Sequence, residues 1–256
     1  MKWPASLTLI RHDTSEYNAL KDRRKNDPLY LEFLEARRKD PSNDKTKLLA
    51  IMVQEKFALK KGDYKTPLAD KTGRQAYETG VALSTGTLPD VIFVSPYQRT
   101  RDTLKHLTRG WPALKGVKIY EEERIREQEH GLALLYSDWK VFEAIYPDQK
   151  RLRKMEGSYW YRYPQGENVP DVRERNRSWL TTLTRDFAGK HILVINHHLS
   201  ILATIANLGR FGANDFISLD EKEKPINCGV TVYRGMPDQG KDGRLVLESY
   251  NTKHYR

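Results

Sequence analysis

Three short apolar runs in this chain each end abruptly in a cluster of arginine or histidine. Leu7-Thr8-Leu9-Ile10 runs into Arg11-His12, and Val91-Ile92-Phe93-Val94 runs into a polar loop that reaches Arg99. His191-Ile192-Leu193-Val194-Ile195 runs into Asn196-His197-His198. Continuous apolar runs of this length read as strands buried on both faces, the pattern of a parallel sheet covered by helices. In such sheets ligands sit beyond the carboxyl ends of the strands. Three polar strand ends can therefore meet at one pocket.

The segments between the strands carry helical signals. Residues 17–61 are rich in Leu and charged side chains, and Pro41-Ser42-Asn43-Asp44 divides them into two helical stretches. Ser15 or Thr14 is expected to cap the first. Further helices are expected from a cap at Pro67–Asp70 through Val81, over about 100–107, across most of 133–157, over about 169–187, and from His198 through Leu208. Val117–Tyr120, Val230–Arg234 and Arg244–Tyr250 read as additional strands, the last two joined by a Gly/Asp turn. The expected fold is a three-layer α/β/α sandwich with a mostly parallel central sheet. One domain over 1–256 is expected, with a helical insertion at about 20–65 after the first strand.

Composition narrows the function. The single cysteine, Cys228, rules out a disulfide framework and a multi-cysteine zinc site, and fits a reducing compartment. No apolar run approaches the roughly 18 residues of a membrane span, and Arg11-His12 interrupts the N-terminal run too early for a signal peptide. A cytoplasmic protein is expected. The net charge of +10 suits an anionic partner. Half of that excess lies in 19–66, interspersed with acids as on a solvated helical surface. No stacking-plus-basic stripe suggests nucleic acid.

Two guanidiniums, Arg11 and Arg99, with two imidazoles, His12 and His197, describe a site for a phosphate dianion. The planar fork of arginine makes paired charge-assisted hydrogen bonds to phosphate. A neutral histidine beside it can attack phosphorus and form a covalent phosphoryl-enzyme. The leaving alkoxide then needs a proton from a carboxylic acid. No metal or other cofactor is required by this scheme, and no P-loop sequence is present.

These residues resemble the motifs of the histidine phosphatase superfamily (phosphoglycerate mutase-like). Its opening signature is similar to Arg11-His12-Asp13-Thr14-Ser15-Glu16-Tyr17-Asn18. Later blocks resemble Pro67-Leu68 with Thr72-Gly73-Arg74-Gln75-Ala76, Ser95-Pro96 with Arg99 and Thr103, Glu127 with Gly131, Gly166-Glu167-Asn168, and His197-His198. The resemblance implies that His12 is the phosphorylated nucleophile and Glu127 the proton donor, with Glu129 as the alternative. It implies that Arg11, Arg99 and His197 bind the phosphoryl group, helped by Asn18 and Ser15. Two positions depart from the pattern. Asp13 stands where the family has Gly, placing a carboxylate that would repel substrate or fix an arginine. His198 also replaces a Gly and is expected to add a donor at the pocket rim.

The implied activity is metal-independent hydrolysis of a small phosphate ester through a phosphohistidine. A phosphoglycerate mutase is the first alternative, although its characteristic segment is poorly matched by Glu127–Trp139. The second is a phosphoryl-ligand or protein-binding module in which Asp13 has impaired catalysis. The oligomeric state has no signature in the sequence. The aromatic stretch Tyr159–Tyr163 is expected either to pack internally or to wall a pocket.

Overall fold

The computed structural model describes residues 2–256. Its strands are β1 (Ser6–Arg11), β2 (Val91–Val94), β3 (Lys118–Glu121), β4 (His191–Asn196), β5 (Val230–Met236) and β6 (Arg244–Thr252). Its α-helices are α1 (Glu16–Lys25), α2 (Pro28–Lys39), α3 (Asp44–Lys56), α4 (Arg74–Leu83), α5 (Gln98–Gly110), α6 (Trp139–Ile145), α7 (Pro147–Glu156), α8 (Val169–Asp186), α9 (His198–Leu208) and α10 (Ala213–Lys222). The chain divides into two compact units. One comprises Met1–Ser15, Asp63–Glu127 and Asp171–Arg256; the other comprises Glu16–Gly62 and Gln128–Pro170.

The first unit is built on a sheet of order β3-β2-β4-β1-β5-β6. Strands β3, β2, β4 and β1 run parallel, whereas β5 is antiparallel to β1 and to β6. The apolar runs are continuous because both faces of the sheet are buried. Leu7, Leu9, Phe93, Ile192 and Val194 pack with Trp179, Leu183, Ile201 and Ile205 of α8 and α9. Their strand neighbours Ile10, Ile92, Val94, Leu193 and Ile195 pack on the opposite side with Leu104 and Leu107 of α5. The result is the expected α/β/α layering.

The register of the parallel strands positions the site. Ile10 lies beside Ile195, and Ile195 beside Val94, so β1, β4 and β2 end level. The alignment continues past the strands: His12 N–H donates to the Asn196 carbonyl at 3.0 Å, and Ser95 N–H to the Ile195 carbonyl at 3.0 Å.

In the second unit, Tyr30, Phe33, Leu49, Val53 and Phe57 form a core with Tyr136, Val141 and Phe142. The insertion contains three helices, where one break had been expected. The additional break is at Asn26-Asp27-Pro28. Asp27 Oδ1 accepts from Leu29 N and Tyr30 N, and Pro28 occupies the first helical turn, a strong helix-start combination. Arg24 and Asp138 form a buried ion pair at 3.0 Å, and Tyr30 donates its hydroxyl to the same carboxylate at 2.6 Å.

Two further differences concern the first unit. Pro67–Asp70 does not begin a helix: Leu68 makes an isolated bridge with Ser15, and α4 starts only at Arg74, after Gly73 at φ +57°. Helix α10 had no counterpart among the expected elements.

Helices α4 and α5 approach closely at two glycines. A Cβ on Gly80 would lie 2.3 Å from the Leu107 carbonyl oxygen, and one on Gly110 would lie 2.2 Å from that of Tyr77. Alanine normally stabilises a helix over glycine by about 1 kcal/mol. Here Gly80→Ala is expected to destabilise instead, by about 1–3 kcal/mol, through forced separation of backbone from backbone. Urea denaturation of the two proteins measures the sign.

Candidate active site

At the end of β1 the ring of His12 is buried, and its Nδ1 lies 2.7 Å from the carbonyl oxygen of Asp13. A carbonyl only accepts, so in the neutral ring Nδ1 carries the proton and Nε2 keeps its lone pair. Burial, then the charges of Arg99 and Arg11, hold the His12 pKa well below that of a free imidazole. At the end of β4 the fully buried ring of His197 meets the His12 ring edgewise, with centroids 5.2 Å apart. Burial, followed by Arg99, His12 and Arg11, lowers the His197 pKa in the same way. His197 Nε2 lies 2.8 Å from Ser95 Oγ, while its buried Nδ1 has no hydrogen-bond partner among the described residues.

The arginines are held from outside this pair. Arg11 Nη1 donates to the Pro225 carbonyl at 2.7 Å. Burial lowers its pKa, and the carboxylate of Glu127 opposes that effect. Arg99 Nη1 donates to the carbonyl oxygen of Asp63 at 2.9 Å and to its carboxylate Oδ1 at 2.8 Å. The Arg99 guanidinium also lies over the Tyr97 ring, 4.7 Å from its centroid. Glu127 Oε1 accepts from Leu199 N–H at 3.1 Å, in the first turn of α9 and two residues beyond His197. Arg11, His12, Arg99, His197 and Glu127 thus form one electrostatic cluster. Among the described residues, no group of three or more His, Cys, Asp or Glu side chains is placed to hold a metal ion.

The sequence pattern of the histidine phosphatase superfamily (branch 1) matches residues 55–242. The chain belongs to that superfamily. Its relatives include the phosphoglycerate mutase-like proteins AT74 and AT74H of Arabidopsis thaliana. The first is 36% identical over 209 residues, covering 75% of this chain and 62% of the relative. The second is 33% identical over 135 residues, covering 48% and 46%. The matches therefore span less than two thirds of these relatives' own length. A mycobacterial glucosyl-3-phosphoglycerate phosphatase with inorganic phosphate shares the fold, with a TM-score of 0.64 at 17% identity, covering 98% of both chains. So does a phosphoserine phosphatase of Entamoeba histolytica in complex with 3-phosphoglyceric acid, with a TM-score of 0.61 at 18% identity, covering 96% of both chains. Superfamily membership supports an enzyme of phosphoryl hydrolysis or transfer. The matched stretch begins after β1, so the Arg11-His12 turn lies outside it.

The two departures from the motif have defined partners in the structure. Asp13, expected to repel substrate or fix an arginine, has its carboxylate tied to the backbone. Its Oδ1 accepts from Thr14 N–H at 2.6 Å and its Oδ2 from Ala76 N–H at 3.1 Å, in the first turn of α4. Burial nevertheless raises its pKa. His198, expected to add a donor at the pocket rim, acts electrostatically on His12, and its Nε2 is 2.8 Å from Asp220 Oδ1 on α10. Ser15 is buried at the bridge to Leu68. Asn18 lies in α1, within the second unit, as does the alternative acid Glu129, whose backbone N–H donates to Glu167 Oε2.

Several groups around the cluster carried no assigned role in the sequence. Ser95 stood in a motif, but its bond to His197 spans about a hundred residues of chain. Asp63 sits in an otherwise ordinary basic stretch. Asn227 donates Nδ2 to the His12 carbonyl at 2.8 Å, and nothing in its local sequence announces it. Of the aromatic stretch, Tyr159 and Tyr161 are buried and Trp160 is exposed. Tyr163 lines a cavity of about 400 Å³ within the second unit, together with Tyr30, His130, Trp139 and Lys140.

The depressed imidazole pKa values make stability depend on pH. Below about pH 6.5 the unfolded chain binds protons on these rings that the folded protein does not. Stability is therefore fully present above that pH and lost as pH falls toward the folded-state values. Each of His12 and His197 is expected to contribute a slope of up to about 1.4 kcal/mol per pH unit between pH 6.5 and 5. Urea melts across that range should show a shallower slope for His197→Asn than for the wild type.

Proposed function

We propose that the protein is a metal-independent phosphomonoesterase acting on a small phosphate ester through a phosphohistidine at His12. The observation that carries this reading is the state of His12. Its Nδ1 lies against the Asp13 carbonyl, which leaves Nε2 as the nitrogen with the lone pair in the neutral ring, and burial with the charges of two guanidiniums lowers its pKa. Those charges favour the neutral nucleophile over imidazolium and attract the dianionic substrate at the same time.

In the first half-reaction Nε2 attacks phosphorus, the N–P bond forms, and the P–O bond to the alcohol breaks. The oxygen takes that electron pair and a proton from the Glu127 carboxyl, leaving as a neutral alcohol. Arg11, Arg99 and His197 hold the three equatorial oxygens as charge spreads over them. In the second half-reaction water attacks the phosphohistidine and gives its proton to the Glu127 carboxylate. Phosphate departs and His12 is restored. Asp13 is not left as an unbonded carboxylate at the site, since two backbone N–H groups bind it. This favours an active site over a purely ligand-binding module.

Phosphoryl transfer between phosphoglycerates is the second reading, favoured by the mutase-like relatives. A coupled assay for phosphoglycerate isomerisation, run beside phosphate release, separates the two. Hydrolysis predicts phosphate release in excess.

His12→Ala is expected to lower turnover of an aryl phosphate roughly 10³-fold or more, with EDTA present throughout. Glu127→Gln is expected to slow alkyl phosphates by about 10²–10⁴-fold and aryl phosphates far less, because an aryloxide leaves without protonation. Retained turnover in His12→Ala would reject the nucleophile.

A further inference from the structure

Arg175, on α8, belongs to none of the phosphoryl-binding groups, yet its guanidinium is committed to the acid-bearing segment. Nη1 donates to the carbonyls of Arg124 and Arg126, each at 2.8 Å, and Nη2 donates to the carbonyl of Glu127 at 2.9 Å. All three acceptors lie in the four residues that end at Glu127, where the chain forms one short 3₁₀ turn and then extends. The other end of Glu127 is also fixed, since its carboxylate accepts from Leu199 N–H in the first turn of α9. Helices α8 and α9 pack on the same face of the sheet, in the core around Trp179 and Ile201. Glu127 is therefore held by its main chain from one helix and by its side chain from the next.

We infer that Arg175 is the positioning residue for proton donation by Glu127, an inference that rests on the reading of Glu127 as the general acid. Proton transfer requires the acid within about 2.6–3.2 Å of the leaving oxygen. Displacement of a reacting group by about 1 Å can cost 10²-fold in rate. The segment carrying Glu127 has no strand or α-helix of its own to supply that accuracy, and the planar fork of Arg175 supplies it. One ammonium does not reproduce three bonds in the fixed geometry of a guanidinium, so lysine is an incomplete substitute. Arg175 also acts electrostatically on His197, consistent with a place beside the cluster.

The test compares 4-nitrophenyl phosphate, whose leaving group needs no proton, with glycerol phosphate, whose leaving group does. The wild type, Arg175→Ala, Arg175→Lys and Glu127→Gln are each measured with both esters. Arg175→Ala is expected to lower kcat for glycerol phosphate about 10–100-fold and for the aryl ester less than about threefold, with KM little changed for either. Arg175→Lys should fall between the two proteins on the same axis. The alkyl-to-aryl ratio is independent of how much enzyme is folded, so a loss of stability cannot imitate this result. Adding Arg175→Ala to Glu127→Gln should leave the ratio where Glu127→Gln alone sets it.

Equal losses on both esters in Arg175→Ala, or no loss, overturn the inference when Glu127→Gln alone is selective. A further fall of the ratio in the double variant overturns it as well. If Glu127→Gln itself shows no selectivity, the assignment of the acid falls and takes the inference with it. That failure is distinguishable because it appears without any change at Arg175.

Discussion

The level ending of three parallel strands is the constraint from which the rest of the site follows. Hydrogen bonds between β1, β4 and β2 align Ile10, Ile195 and Val94, and the next residues on each strand have nowhere to go but the same edge. A slip of one residue in either pairing would turn the inward side chains to the other face of the sheet. The two cores on opposite faces oppose such a slip, because each would have to exchange its strand residues for those of the other. Packing far from the chemistry thus fixes where two imidazoles meet.

Bringing arginines and histidines together raises an electrostatic problem that the fold resolves group by group. Both imidazoles are held toward their neutral forms by burial and by the guanidiniums. The carboxylate of Asp63 neutralises Arg99, and Glu127 acts on Arg11. Both guanidiniums are thus already ordered by protein partners, Pro225 and Asp63, and on the proposed reading this reduces the cost of organising them around an anionic ligand. On the same reading, a phosphoryl ligand competes with Asp63 for Arg99.

Much of this was legible in the residues. The strands announced themselves as apolar runs, and the clusters at their ends marked Arg11, His12, Arg99 and His197. The motif blocks singled out Glu127. What escaped were groups defined only by partners far along the chain: Asp63 on Arg99, Ser95 on His197, Asn227 on the backbone of His12. The partners of Asp13 escaped in part for the same reason, since one of the two N–H groups that bind its carboxylate, that of Ala76, lies far along the chain. The break before α2 was overlooked although Asp27-Pro28 carries a helix-start signal, because the stretch was read from its overall helical composition, with Pro41-Ser42-Asn43-Asp44 as its one turn. Helix α10 was missed although Ala213, Phe216 and Ile217 stand at helical spacing; the run is short, and among them only Phe216 is buried.

The division of the chain into units has an evolutionary corollary. The polypeptide leaves the sheet-bearing unit after Ser15, re-enters at Asp63, leaves again after Glu127 and re-enters at Asp171. Three of these four junctions are candidate site residues or, for Asp63, the ion-pair partner of one. The strand ends that carry Arg11, His12, Arg99 and His197 all lie in one unit, so a change in length of the helical segments between these junctions leaves the strand register untouched. Chimeras cut at these junctions are the natural units for recombination among distant members of the superfamily.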